Sequence, residues 1–151
     1  MFEIESKGPD EITLNVKGVV IKFNLADEVI DANLPVGPIS GPGEFEIGQA
    51  AIRGIATEGG RTVYDVLIGN VHVGIIGGVE EAITLDELGV SDILCTSSVR
   101  AVREIEPKLV VAMGNIDGMV TELKVSARVE KKLKVKSREA LPAALEVVAL
   151  G

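Results

Sequence analysis

The residues Gly41-Pro42-Gly43 and the run behind them constrain this chain most. Such a triplet suits neither a helix interior nor a central strand, because glycine loses the most entropy on ordering and proline lacks a backbone donor. It marks a turn. Behind it Glu44 and Glu46 alternate with Phe45 and Ile47, the period of two that belongs to a half-buried strand. We read Ser40–Thr57 as this turn followed by one long extended run, which a sheet must accommodate.

The same alternation fills the chain before and after it. Residues 2–5, 11–16 and 19–23 read as strands separated by the turn residues Lys7-Gly-Pro-Asp10 and Lys17-Gly18, an antiparallel meander. Residues 24–39 are less regular, and Asn33-Leu-Pro and Val36-Gly-Pro mark a loop. Thr62–Ile68 and Val71–Ile76 flank Gly69-Asn70, a two-residue hairpin loop that needs positive φ.

From residue 84 the period changes. Thr84-Leu-Asp-Glu87 reads as a capping box for a short helix that Gly89 stops. Asp92–Thr96 predicts a buried strand, and Ser98 caps a helix over Val99–Ile105 that Pro107 ends. Lys108–Met113 predicts the next strand. Together these make a strand–helix–strand unit with a right-handed parallel crossover. Residues 116–127 predict a helix, Lys132–Lys136 a strand, Ser137–Leu141 a single turn and Leu145–Leu150 a closing strand. Strands first and alternating elements later predict an α+β fold over residues 1–151, a two-sheet β-sandwich with outer helices.

Composition narrows the function. Aromatics make up only 3% of the chain, so the core must be built from Val, Ile, Leu and Ala. Residues 1–100 carry 16 acids and 6 bases, residues 101–151 carry 7 acids and 9 bases, and the total is −8. An acidic balance argues against broad nucleic-acid binding. No apolar run is long enough to span a bilayer. The acidic, strand-like start Met1–Glu5 predicts no signal peptide. With a single cysteine, Cys95, a cytoplasmic location is expected.

Candidate chemistry is sparse. The chain holds one His and one Cys. A catalytic zinc takes about three protein ligands and leaves a position open for water. His72, between Val71 and Val73, reads as an outward strand residue near the hairpin, with no nucleophile beside it. Gly74–Val79 resembles a phosphate-cradling loop, but Glu80 and Glu81 would repel a phosphate, so it reads as a tight strand exit. Asp86, Glu87 and Asp92 are candidate acid–base carboxylates, with helix capping and dipole roles as their simpler reading. Lys131, Lys132, Lys134, Lys136 and Arg138 form a basic strip. It reads as a solvated edge strand, or as a surface for an acidic partner or for the acidic part of a second copy.

Several stretches occur in the order found in the metallo-β-lactamase superfamily. They are Gly41-Pro-Gly-Glu-Phe-Glu-Ile47, Ile52-Arg-Gly-Ile55, Thr62 through Val73, Ser91-Asp-Ile-Leu94, Ile105-Glu-Pro-Lys-Leu-Val-Val111, Ala140-Leu-Pro142 and Glu146–Leu150. Together they resemble its predicted metal-dependent hydrolases. The resemblance implies an αββα sandwich with a metal site at one edge, between the sheets. It also implies where ligands should stand. The first histidine-rich motif would fall within 24–39, which holds no histidine. The aspartate ligand corresponds to Gly78, and the last histidine to Gly114.

The expectation is therefore a shortened relative without metal, cofactor or catalytic residues, acting as a structural or interaction protein. Few and short helices would leave apolar sheet surface that a second copy could bury, so a homo-oligomer is expected. The alternatives are a metal-dependent hydrolase with a non-standard site or one completed by another subunit, and a small-molecule or peptide binder using the cleft near Gly78 and Gly114.

Overall fold

The computed structural model describes residues 1–79 and 86–150. Six strands form one sheet in the order β13-β1-β2-β3-β4-β5: β1 (Phe2–Lys7), β2 (Glu11–Val16), β3 (Val19–Asn24), β4 (Val29–Asp31), β5 (Ile39–Ser40) and β13 (Leu133–Val135). Eight form the other in the order β12-β14-β11-β10-β9-β8-β7-β6: β6 (Gly43–Ile47), β7 (Ala50–Ala56), β8 (Thr62–Ile68), β9 (Val71–Gly77), β10 (Ile93–Thr96), β11 (Leu109–Ala112), β12 (Ala127–Glu130) and β14 (Glu146–Leu150). Among the described residues two longer helices, α1 (Val99–Ile105) and α2 (Ile116–Leu123), and a short 3-10 turn, Arg138–Ala140, join the strands. No described helix is long and apolar enough to cross a membrane.

The alternation in the sequence sorts side chains between two cores. Ile4, Leu14, Ile21, Phe23, Ile52, Tyr64, Val66, Val73 and Val111 meet between the sheets. On the outer face of the eight-stranded sheet, Val63, Ile76, Leu94, Val110 and Val147 pack against Ala101, Val102 and Met119 of the two helices. Ser98 caps α1 by accepting a hydrogen bond from the Ala101 amide. Strands β10 and β11 run parallel on either side of α1, as the sequence predicts.

Several boundaries differ from the sequence reading. The run 40–57 is a hairpin, because Gly48 (φ +59) and Gln49 reverse the chain and Ile47 pairs with Ala50. The irregular stretch 24–39 contributes β4 and β5, too short to show a period. The helix expected over 116–127 ends at Leu123, and residues 127–130, of which only Ala127 lay in it, form an edge strand beside β14. Residues 86–88 are helical and Gly89 stops them at φ +71, whereas Thr84 of the expected capping box lies outside the described residues.

The helical layer covers one sheet. The outer face of the six-stranded sheet carries Glu3, Glu5, Glu11, Thr13, Asn15, Lys22 and Lys134 opposite the buried set, with Val20 exposed among them beside Asn15. It is largely polar, and the helices do not cover it.

Cys95 lies in β10, 0% exposed, and burial pushes its thiol well above the ordinary range. Alkylation needs the thiolate. Native protein is expected to resist iodoacetamide and to take up one equivalent after urea unfolding, read by intact mass. Labelling of native protein at the unfolded rate would contradict this packing.

Candidate functional site

The parallel strands β9, β10 and β11 end side by side, which is where an α/β sheet offers its crevice. Gly78 follows β9, Ser97 follows β10 and Gly114 follows β11. A Cβ added to Gly78 would lie 3.3 Å from Ser97 Oγ, and one on Gly114 would lie 3.8 Å from Ser97 Cβ. The two positions implied as ligands therefore share one patch, and neither has a side chain to give.

Carbon packs nearby at two points. Leu25 is buried, and its Cδ1 stands 2.8 Å from where a Cβ on Gly77 would be. Pro9 Cβ stands 3.6 Å from the Gly114 position. Leu25 is fixed by its amide, which donates to Asp10 O at 2.8 Å, and by its carbonyl, which accepts from Arg61 at 3.3 Å. Among the described residues no three His, Cys, Asp or Glu side chains converge as a metal set. Residues of this kind do not fit a zinc ion. Gly78 and Gly114 are both exposed, and Gly114 lines an open pocket with Asn115, Ile116, Asp117, Val129, Ala149 and Leu150.

The polar chemistry gathers elsewhere, on the outer face of the eight-stranded sheet beyond the helices. The hairpin at Gly69-Asn70 pairs Leu67 with His72, which sets Asp65 diagonally across from the imidazole. Asp65 Oδ1 lies 3.2 Å from His72 Nδ1, and Asp65 Oδ2 lies 3.4 Å from the Arg53 guanidinium. The same guanidinium donates to the carbonyls of Glu87 and Leu88 at 3.2 and 3.1 Å. Glu44 stands opposite Arg53, and Glu46 opposite Ala51.

These residues line an open groove of about 360 Å³ whose remaining walls are Phe45, Ala51, Ile52 and Leu67. With a proton on Nδ1, His72 donates to Asp65 and keeps Nε2 as an acceptor. Among the described residues no hydroxyl or thiol lines the groove beside the dyad. Three carboxylates against one guanidinium, which Asp65 already engages, make the groove suited to a cation.

His72 is thus the outward strand residue that the sequence suggests, with an added tie to Asp65. Asp92 is engaged within the fold and stands apart from the groove. It is 3% exposed, its Oδ2 accepts from the His72 amide at 2.8 Å, and its Oδ1 meets Arg138 at 3.3 Å. Asp86 is exposed, and Glu87 contributes its backbone carbonyl. Arg53, Asp65, Glu44 and Glu46 escape a reading made strand by strand. Counting outward from the hairpin would have brought Asp65 to His72.

No protein-family profile matches the chain. No curated protein sequence matches it. A crystal structure from Thermotoga maritima, whose description proposes a Zn-dependent hydrolase of the metallo-β-lactamase superfamily, superimposes with a TM-score of 0.69 at 17% sequence identity. The match covers 99% of this chain and 100% of that one, so the compact form is common to both. The fold of this chain is that of the metallo-β-lactamase superfamily, in a short, strand-rich version with helices on one side.

Proposed function

We propose that this chain is a metal-free, non-hydrolytic interaction protein that assembles with copies of itself. The reading is carried by Gly78 and Gly114, the places implied for metal ligands, which have no side chain to give, with Pro9 beside Gly114 and Leu25 against the neighbouring Gly77. A hydrolytic zinc centre works by lowering the pKa of a held water, and that requires donors these positions lack. Self-assembly is supported by the sheet ends: among the described residues no further strand pairs beyond β5 and β13 in one sheet or β6 and β12 in the other.

Two measurements on purified protein test this. Elemental analysis is expected to give zinc and manganese far below one per chain, with no ester or phosphodiester hydrolysis above background. Light scattering is expected to give a mass above that of one chain. A stoichiometric metal, together with a hydrolysis that a chelator abolishes, would overturn the first half. A single-chain mass at every concentration would overturn the second.

A further inference from the structure

We propose that copies of this chain join head to tail through the edge strands β6 and β13, a row of glutamates meeting a row of lysines. The proposal rests on the reading that the chain assembles with itself, and it names the surface.

Strand β6 ends the eight-stranded sheet and β13 ends the six-stranded one. On β6, Glu44 and Glu46 alternate with Phe45 and Ile47. At β13, Lys132, Lys134 and Lys136 alternate with Leu133 and Val135. In both strands the apolar set faces the space between the sheets. The charged set faces outward. A joined pair would therefore continue the core with Phe45 and Ile47 beside Leu133 and Val135, and would lay glutamate beside lysine on the other face. The glutamates stand on the outer face of the eight-stranded sheet and the lysines on that of the six-stranded sheet. The second copy consequently enters turned over, its six-stranded sheet extending the first copy's eight-stranded one.

Charge also decides which edges can meet. Two β6 edges would oppose glutamates, and two β13 edges would oppose lysines, so each edge rejects its own kind. Glu44, Glu46, Lys134 and Lys136 form no ion pair among the described residues, whereas Arg128 on edge β12 is already matched to Glu130 and Glu146. Lys132 is held by Glu3 at 3.4 Å, which leaves Lys134 and Lys136 to reach across. Because the two surfaces differ, each added copy leaves one acidic and one basic edge free, and growth passes beyond a dimer.

The test is light scattering over a wide concentration range on wild type, on Glu44→Lys/Glu46→Lys and on Lys134→Glu/Lys136→Glu. The wild-type mass is expected to rise with concentration and to fall with added salt. Each reversed variant is expected to associate at least about ten-fold more weakly. An equal mixture of the two is expected to associate again, since each brings the edge the other lacks. That recovery also shows that both variants are folded. If the reversed variants assemble like wild type, this contact is wrong while self-assembly stands. If wild type is a single chain throughout, both fail.

Discussion

An Asp92→Ala chain is expected to be less stable than wild type by about 3 kcal/mol or more. Asp92 ties the ends of several strands together at the edge of the sandwich away from Gly78. Its carboxylate accepts the His72 amide at the start of β9 and meets Arg138 of the turn 138–140. Its own amide donates to His72 O, and its carbonyl accepts from the amides of Lys108 and Leu109, at the start of β11. The backbone bonds survive the substitution. The buried carboxylate does not, and it leaves the His72 amide without its acceptor and a hole behind it. Asp92→Asn separates the contributions, because the amide oxygen can still accept from His72. Arg138 is 44% exposed and can rehydrate, so Asp92→Asn is expected to cost only about 1 kcal/mol. Urea unfolding followed by circular dichroism measures both. Equal losses for the two variants would mean that the charge matters and the acceptor does not.

How much of this was legible beforehand depends on whether the signal is local. The meander β1–β3 is, because each strand alternates and each turn is marked by Gly or Asx residues. The unit β10–α1–β11 is, because Ser98 and Pro107 bracket the helix. The hairpin β6–β7 is hidden, because Gly48-Gln49 interrupts an alternation that reads as continuous. Strand β12 is hidden for another reason. Val129 is 74% exposed, so Ala127–Glu130 shows no buried face and its pairing with β14 depends on distant residues.

The site divides the same way. Gly78 and Gly114 fall at the ends of adjacent strands, where the resemblance puts them. That Leu25 would lie against Gly77 could not be read, since it depends on how a loop fifty residues upstream in the chain packs back over β9. The Asp65–His72 pair was half legible. A two-residue hairpin loop fixes the register, and the register fixes the diagonal. What no local rule supplies is Arg53, which reaches the carbonyls at 87 and 88 across a tertiary contact.

Stability is expected to fall by about 2 kcal/mol as the pH rises from 10 to 12, through one residue. Tyr64 is 0% exposed in the core between the sheets, with its ring 5.2 Å from that of Phe23. Burial, and secondarily the charge of Glu28, raise its phenol from 10.0 to about 12. The unfolded chain gives up this proton near pH 10 while the folded chain holds it to about 12. The contribution is therefore whole below pH 10 and is lost as the pH climbs through the folded value. The chain has one tyrosine and no tryptophan, so phenolate absorbance reports this residue alone. Its hydroxyl has no hydrogen-bond partner among the described residues. Tyr64→Phe consequently removes a buried polar group without orphaning another. It is expected to be neutral or to stabilise by about 1 kcal/mol at neutral pH, and to flatten the alkaline loss. Urea unfolding of both chains at neutral pH and at about pH 11 gives the comparison. A native phenol that ionises like an exposed one would show that Tyr64 is hydrated, and the tight closure of the sandwich around it would be wrong.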